Sequence, residues 1–274
     1  MTDREKIIPG FNLTLGFTIS YLSLLVFIPL SMIFLGMFKL DFATFEKHIF
    51  AERTIAAFKV TFTISFLAAL VNSFFGFIVA WVLVRYEFPG RKIFDALVDL
   101  PFALPTAVAG IALTGAYAPT GMIGQYLSRM GVQVAYTPLG IFVALLFIGL
   151  PFVVRSLQPV IEDIDKEIEE AAATLGASRF TTFFSILLPG LFPAMLTGFC
   201  LAFARALGEY GSVVFISGNM PMKTEIVPLL IMTKLEQFDY QGATALAFVM
   251  LLISFLMLLA INFLQAELQK RRSQ

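Results

Sequence analysis

The sequence predicts an all-α polytopic membrane protein with six transmembrane helices. Three observations carry that reading. The chain is 58% hydrophobic, only 14% of its 274 residues are charged, and its mean hydropathy is +0.86, against about 25% charged residues in a soluble domain. Six runs carry no Asp, Glu, Lys or Arg: Ile7–Phe38, Val60–Val84, Leu100–Ser128, Met130–Val154, Phe180–Ala204 and Tyr240–Ala266. A hydrocarbon core of about 30 Å takes about 20 helical residues, so each run is long enough to cross. None shows the alternation of a barrel strand, and helices and closed barrels are the two structures that satisfy their backbone groups in lipid.

The runs place helices near 11–38, 59–84, 101–117, 138–158, 191–217 and 242–264. The first is too long for a signal-peptide core and has no small-residue cleavage site, so it is read as a retained helix. Six crossings put both termini on one side. That side carries Arg4, Lys6, Arg85, Arg91, Lys92, Arg155, Lys166, Arg179, Lys270, Arg271 and Arg272, eleven basic residues. The other carries Lys39, Lys47, Arg53, Lys59, Arg129, Lys223 and Lys234, seven. The basic excess marks the cytoplasmic side, with Trp81, Arg85 and Tyr86 as interfacial anchors. Formal net charge is zero, and no basic face offers itself to nucleic acid. The one cysteine, Cys200, excludes an internal disulfide and reads as a small buried residue. The one histidine, His48, excludes a multi-His metal site and reads as a solvated loop residue.

No repeat of 20–50 residues is present, but one short echo is. LPFALPTAVAGIAL (100–113) and LPGLFPAMLTGFCL (188–201) share Leu, Pro, Pro, Gly and Leu at matching offsets. Proline suits the first turn of a helix and small residues suit helix packing. A sharper reading is that both helices enter the membrane irregularly and flank a pathway, where non-regular backbone is tolerated.

The polar stretch from Pro159 to Gly190 interrupts the apolar pattern. Ile161, Ile164, Ile168, Ala171, Ala172 and Leu175 form one stripe at helical spacing. Gly176 suits the left-handed position after a helix, and Ser178 can cap a second helix ending before Pro189. The expected product is a helix–turn–helix knob with an apolar flank, fit for a groove on a partner or serving as a plain solvated connector.

Glu170-Ala171-Ala172, three residues, Gly176, nine residues, Ile186, one residue and Leu188-Pro189 resemble the cytoplasmic EAA motif of bacterial ABC importer permeases. RYEFPGR (85–91), DLPFALPTAVAG (99–110), RALGEYG (205–211) and EQFDY (236–240) extend the likeness over nearly the whole chain. They are similar to the sulfate/thiosulfate type, in its T/U branch, with molybdate permeases as near relatives. Tyr210 stands where that type has Phe, and the loop after residue 217 is weakly constrained. The resemblance implies a binding-protein-dependent (MetI-like) permease fold, one domain over 1–274 with a coupling loop at about 159–190. Glu170, Ala171, Ala172, Gly176, Leu188 and Pro189 would couple it to cytoplasmic ABC ATPase subunits, which would hold ATP and Mg. It further implies a homologous second permease, a periplasmic or surface-tethered sulfate-binding protein, and the bacterial cytoplasmic (inner) membrane.

No G-x-x-x-x-G-K-[ST] occurs, so this chain lacks the loop that cradles ATP phosphates. No Ser–His–Asp set is available with one loop histidine, so the chain is not expected to be an enzyme, nor to hold a cofactor or metal itself. Arg205 and Glu209 fall four apart in the fifth apolar segment, Arg205 about midway along. A central Arg costs about 2.5–3.5 kcal/mol on insertion scales, so it should pair, face the bundle or meet water. It either fixes helix packing with Glu209 or offers positive potential to a passing dianion; Pro101 and Pro105, at the entrance of the third helix, are the other pathway candidates. Two rivals remain at this point: a secondary transporter or channel without an ATPase, and a membrane scaffold or sensor whose knob docks a signalling protein. Molybdate or tungstate is the alternative cargo.

Overall fold

The structure, a computed structural model, describes residues 11–272. Arg4 and Lys6 of the charge count lie outside them, as do the side chains of Lys270, Arg271 and Arg272. Among the described residues all regular structure is helical.

Helix α1 comprises Phe11–Leu22, a wide π turn at Ser23–Phe27 and Ile28–Phe38. Then come α2 (Phe42–Ile49), α3 (Glu52–Arg85), α4 (Arg91–Val98), α5 (Leu100–Ala103), α6 (Thr106–Tyr117), α7 (Gly124–Arg129), α8 (Pro138–Glu162) and α9 (Lys166–Thr174). Helix α10 (Arg179–Leu207) contains a second π turn at Phe183–Leu187; α11 (Val213–Ile216), α12 (Val227–Glu236) and α13 (Tyr240–Arg272) follow it among the described residues. Each π turn ends two residues before a proline, Pro29 or Pro189. A proline supplies no N–H to the carbonyl four residues back and its ring crowds it, so the ladder widens there.

Among the described residues, five helices are long and apolar enough to span a bilayer: Leu13–Phe38, Glu52–Arg85, Pro138–Glu162, Arg179–Leu207 and Tyr240–Phe263. The third expected helix, 101–117, is different. Pro105 drives Leu104 into extended backbone (φ −90°, ψ 134°), as a residue before proline prefers. The run therefore splits into α5 and the 12-residue α6, about 18 Å long at 1.5 Å per residue. The fifth helix is displaced relative to expectation. It starts at Arg179, not 191, because the second half of the expected knob runs on through the π turn. It stops at Leu207 rather than 217, with Gly208 following.

The core lies where α3, α8 and α10 cross, with Ala69, Ala80, Leu83, Val153, Val154, Leu157, Leu191, Ala202 and Phe203 buried among them. In lipid the driving force for such crossings is close packing, which small residues permit. A Cβ on Gly76 would sit 2.8 Å from Val153, and one on Gly198 2.9 Å from the Val153 Cα. Gly149 admits Asn72, whose buried amide donates to the Leu146 carbonyl at 3.1 Å. Cys200 is buried, as expected. By contrast Phe66, Leu67, Leu70, Phe74, Phe75 and Ile78 along α3 are exposed, a surface suited to hydrocarbon rather than water.

Candidate functional site

Two of the places where polar residues gather are built by backbone breaks. The first is the α9 knob. Ala177 N–H donates to the Ala172 carbonyl and Gly176 N–H to the Ala173 carbonyl, each at 3.0 Å. That pair of bonds, with Gly176 at φ +82°, is a Schellman ending, which satisfies carbonyls otherwise left open at a helix C-terminus. Ser178 Oγ then accepts from Thr181 N–H at 3.1 Å and starts α10. Both expectations for this turn hold.

The single apolar stripe does not. Asp163–Asp165 interrupt the helix, so Ile161 belongs to α8 and is fully buried, while Ala172 turns inward at 5% exposure. Ile168, Ala171 and Leu175 face outward with Phe180, Leu175 at 89% exposure. Three-and-four spacing puts these three on one helical stripe. The knob thus shows an uncovered apolar face, and Glu170 beside it is exposed. Leu188 and Pro189 are not at the knob; they form the first turn of the membrane part of α10, just past its π turn.

Two arginines missed as structural links tie this end together. Arg155 Nε donates to Asp99 Oδ1 at 2.8 Å and Nη1 to Asp95 Oδ1 at 2.7 Å, and Nη2 donates to the Asp95 carbonyl at 3.0 Å. The fork clamps α4 and the start of α5 onto α8. The Gln158 hydrogen bond, with Arg155 next to it, holds the Asp95 carboxyl below the usual range. Arg85, at the end of α3, meets Glu169 of α9 at 3.1 Å.

The second place is the turn after α10. Arg205 lies in the last turn of the helix, not midway along it, where a cation complements the helix dipole. Its Nη1 is 2.6 Å from Glu209 Oε2. Glu209 lies beyond the helix end, so the pair closes the break instead of running along a continuous face. Glu209 Oε1 accepts from Ser212 N–H at 2.8 Å and Ser212 Oγ at 2.9 Å. The Glu209 side chain is 2% exposed, that of Arg205 32%. The N-terminal turn of α6 lies directly against this turn: a Cβ on Gly211 would fall 2.1 Å from Thr106 Oγ1, and one on Gly110 2.5 Å from the Ser212 carbonyl. The break at Pro105 and the Arg205–Glu209 turn are therefore neighbours. Pro101 is more distant in role, heading α5, whose Phe102 rests edge-on against Phe152 at 5.0 Å. Both halves of the sequence echo do enter irregularly, one by the break at 104–105 and the other by the π turn.

At the opposite end Arg53 grips the buried Glu225 by two bonds, 2.7 and 2.6 Å. His48 is also there, and it is not a solvated loop residue. It sits on α2, where its Nδ1 lies 3.2 Å from Lys234 Nζ, which donates at 2.7 Å to Asp239 Oδ2. Burial, then the Lys234 charge, push the imidazole below its ordinary value, with Asp239 opposing and Lys47 assisting. Neutral His48 therefore contributes stability that is complete above about pH 6.5, the ordinary imidazole value, and is lost as pH falls through its lower folded value. Thermal unfolding of the purified chain between pH 7.5 and 5.5 should show a loss on acidification that His48→Gln flattens; equal slopes for the two proteins would remove this assignment.

The family model described as binding-protein-dependent transport system inner membrane component matches residues 72–274. A probable sulfate transport system permease from Nephroselmis olivacea is 50% identical over 253 residues, covering 92% of this chain and 89% of the relative. The sulfate transport system permease protein CysT of Escherichia coli K12 is 45% identical over 267 residues, 97% and 96% of the two chains. Among solved structures, a bacterial alginate ABC transporter in complex with an alginate-pentasaccharide-bound periplasmic protein superposes with a TM-score of 0.79 at 18% identity, over 95% of each chain.

Proposed function

This chain belongs to the family of binding-protein-dependent transport system inner membrane components, and from that membership we propose that it is a permease subunit carrying sulfate or thiosulfate through an ATP-driven importer. The observation that carries the machine class is the α9 knob, a rigidly terminated helix whose outward stripe of Ile168, Ala171 and Leu175 is uncovered. An apolar helical face of this kind fits a groove on another protein. We assign that groove to a cytoplasmic ATPase subunit, which supplies the ATP and Mg chemistry this chain has no loop to perform. Glu170, Ala171, Ala172 and Gly176 shape the docking helix; Leu188 and Pro189 set where the membrane part of α10 begins.

The cargo assignment is supported by the names of relatives 45–50% identical and by the chemistry of the α6–α10 junction. Arg205 presents a partly exposed guanidinium that can bond two oxygens of an oxyanion at once. The start of α6, which has no side-chain cap and packs against Gly211 of the same turn, adds the positive end of a helix dipole. Glu209 takes up part of the Arg205 charge. A pathway needs that moderation, since an ion held too well does not leave. The basic excess supports placing the knob and both termini on the cytoplasmic side. A second permease and a cargo-loaded binding protein on the opposite face complete the assembly.

The force path runs through these links. Movement of α9 reaches α8 through the chain itself, and α4–α5 through the Arg155 fork. The broken start of α6 follows α5 directly. Labelled-sulfate uptake in cells lacking this chain, and in cells restored with it, tests the cargo. Uptake should return with the chain and persist with excess molybdate. Uptake that stays absent, or that molybdate abolishes, would overturn sulfate and favour molybdate or tungstate.

A further inference from the structure

Arg85 has more contacts than an interfacial anchor requires. Arg and Lys at helix ends commonly lay their stems on apolar surface and put the charge in water. The Arg85 side chain is only 12% exposed. Its Nη2 donates to the Ile164 carbonyl at 3.2 Å and lies 3.1 Å from Glu169 Oε1. Its guanidinium sits 5.5 Å over the Trp81 ring, and Trp81 meets Phe183, in the π turn of α10, edge-on at 5.8 Å. One side chain therefore joins the end of α3, the break before α9, α9 itself and, through Trp81, the start of α10.

Two further features fit a joint that rearranges. Arg85 Nε is buried without a hydrogen-bond partner, an arrangement less stable than a fully satisfied guanidinium. A polar cavity of about 710 Å³, bounded by Arg85, Glu87, Arg91, Glu162, Ile164 and Asp165, opens beside it. The break before α9, at Ile164 and Asp165, thus borders open space, while the ion pair to Arg85 tethers α9 itself. Glu169 is half-buried and turned to Arg85, whereas Ile168, Ala171 and Leu175 face outward. One face of α9 is free for a partner while another is bound to α3.

We propose that Arg85, through Glu169 and the Ile164 carbonyl, is the positioning residue that passes displacement of α9 to α3 and so to the α3–α8–α10 core. The inference rests on α9 being the ATPase-docking helix. It assigns coupling to a pair 84 positions apart in sequence and adds a second route beside covalent continuity with α8.

The test uses the complete transporter in proteoliposomes, with ATP hydrolysis and sulfate uptake measured together. Arg85→Gln and Glu169→Gln should each lower uptake per ATP hydrolysed by about tenfold, within the range of ordinary coupling energies. The double variant should be no worse than either single one, because one interaction is being removed twice. Arg85→Lys keeps the charge without the fork and should fall between, which covers the case in which the glutamine variant is not made. A purely structural role would lower the amount of assembled protein and leave uptake per ATP unchanged; that result overturns the proposal, as would additive losses. Leu175→Asp, on the outward stripe, should release the ATPase on purification. If it does not, the docking reading fails and this proposal with it; if it does while Glu169→Gln stays fully coupled, Arg85 alone is refuted.

Discussion

Gly176→Pro is expected to leave the chain inserted in the membrane and to stop uptake. Gly176 sits at φ +82° with nothing within 4 Å of the position a Cβ would take, so space is not the constraint; conformation is. Proline fixes φ near −65° and has no N–H. It cannot occupy the left-handed position and cannot make the 3.0 Å bond to the Ala173 carbonyl. The companion bond from Ala177 depends on the same turn. Losing both frees the end of α9 and the Ser178 cap that starts α10. A left-handed conformation costs an ordinary L-residue about 1–2 kcal/mol, so Gly176→Ala should be milder and Gly176→Asn milder still. For the proline variant uptake should fall at least tenfold, with chain abundance in membranes near that of the parent. The affected element is a short solvent-facing turn, remote from the three-helix core. Normal ATPase binding together with normal uptake in Gly176→Pro would sink the assignment of α9 as the coupling element.

The reasons some features were legible in the sequence and others were not are physical. Charge-free runs report the solvent a segment meets, and five of the six became long helices. The sixth carried its own warning in Pro105, since a proline restricts the residue before it; counting charges alone overlooks that. Gly176 and Ser178 were readable because caps are local, decided within four residues. The fifth helix was misplaced at both ends for related reasons. Pro189 looked like a start, yet a π turn carries a helix past a proline. The apolar run continues past Gly208 to 217, yet the helix stops there. The stripe over 161–175 failed because periodicity does not register a three-residue break, and the break hands Ile161 to one helix and Ile168 to another. Pairings between distant segments left no local trace at all. Arg53 and Glu225 lie 172 positions apart, and Arg155 and Asp99 56 apart; charge at a helix end hints at a partner without saying which.

Replacing Arg205 gives the other large expected effect, and the structure changes how it must be measured. Arg205 closes α10, and Glu209 is buried at its side. Removing one member of a buried ion pair costs about 3–5 kcal/mol when the other charge is left uncompensated. Here Glu209 keeps two donors from Ser212, so the loss should fall below that range. Arg205→Gln should therefore yield a chain that inserts and assembles at a reduced level, with uptake per assembled transporter down at least tenfold. Arg205→Lys, which keeps the charge but not the planar fork, should retain part of the activity. The decisive variant is Arg205→Gln with Glu209→Gln. It removes both charges, leaves no buried carboxylate unpaired, and keeps neutral groups able to hydrogen-bond at the turn. If Arg205 serves the anion, this pair restores the amount of assembled protein without restoring uptake, because the positive potential beside the α6 start is gone. If Arg205 only locks the turn, the neutral pair restores both, and the dianion pathway must be sought on another face of the bundle.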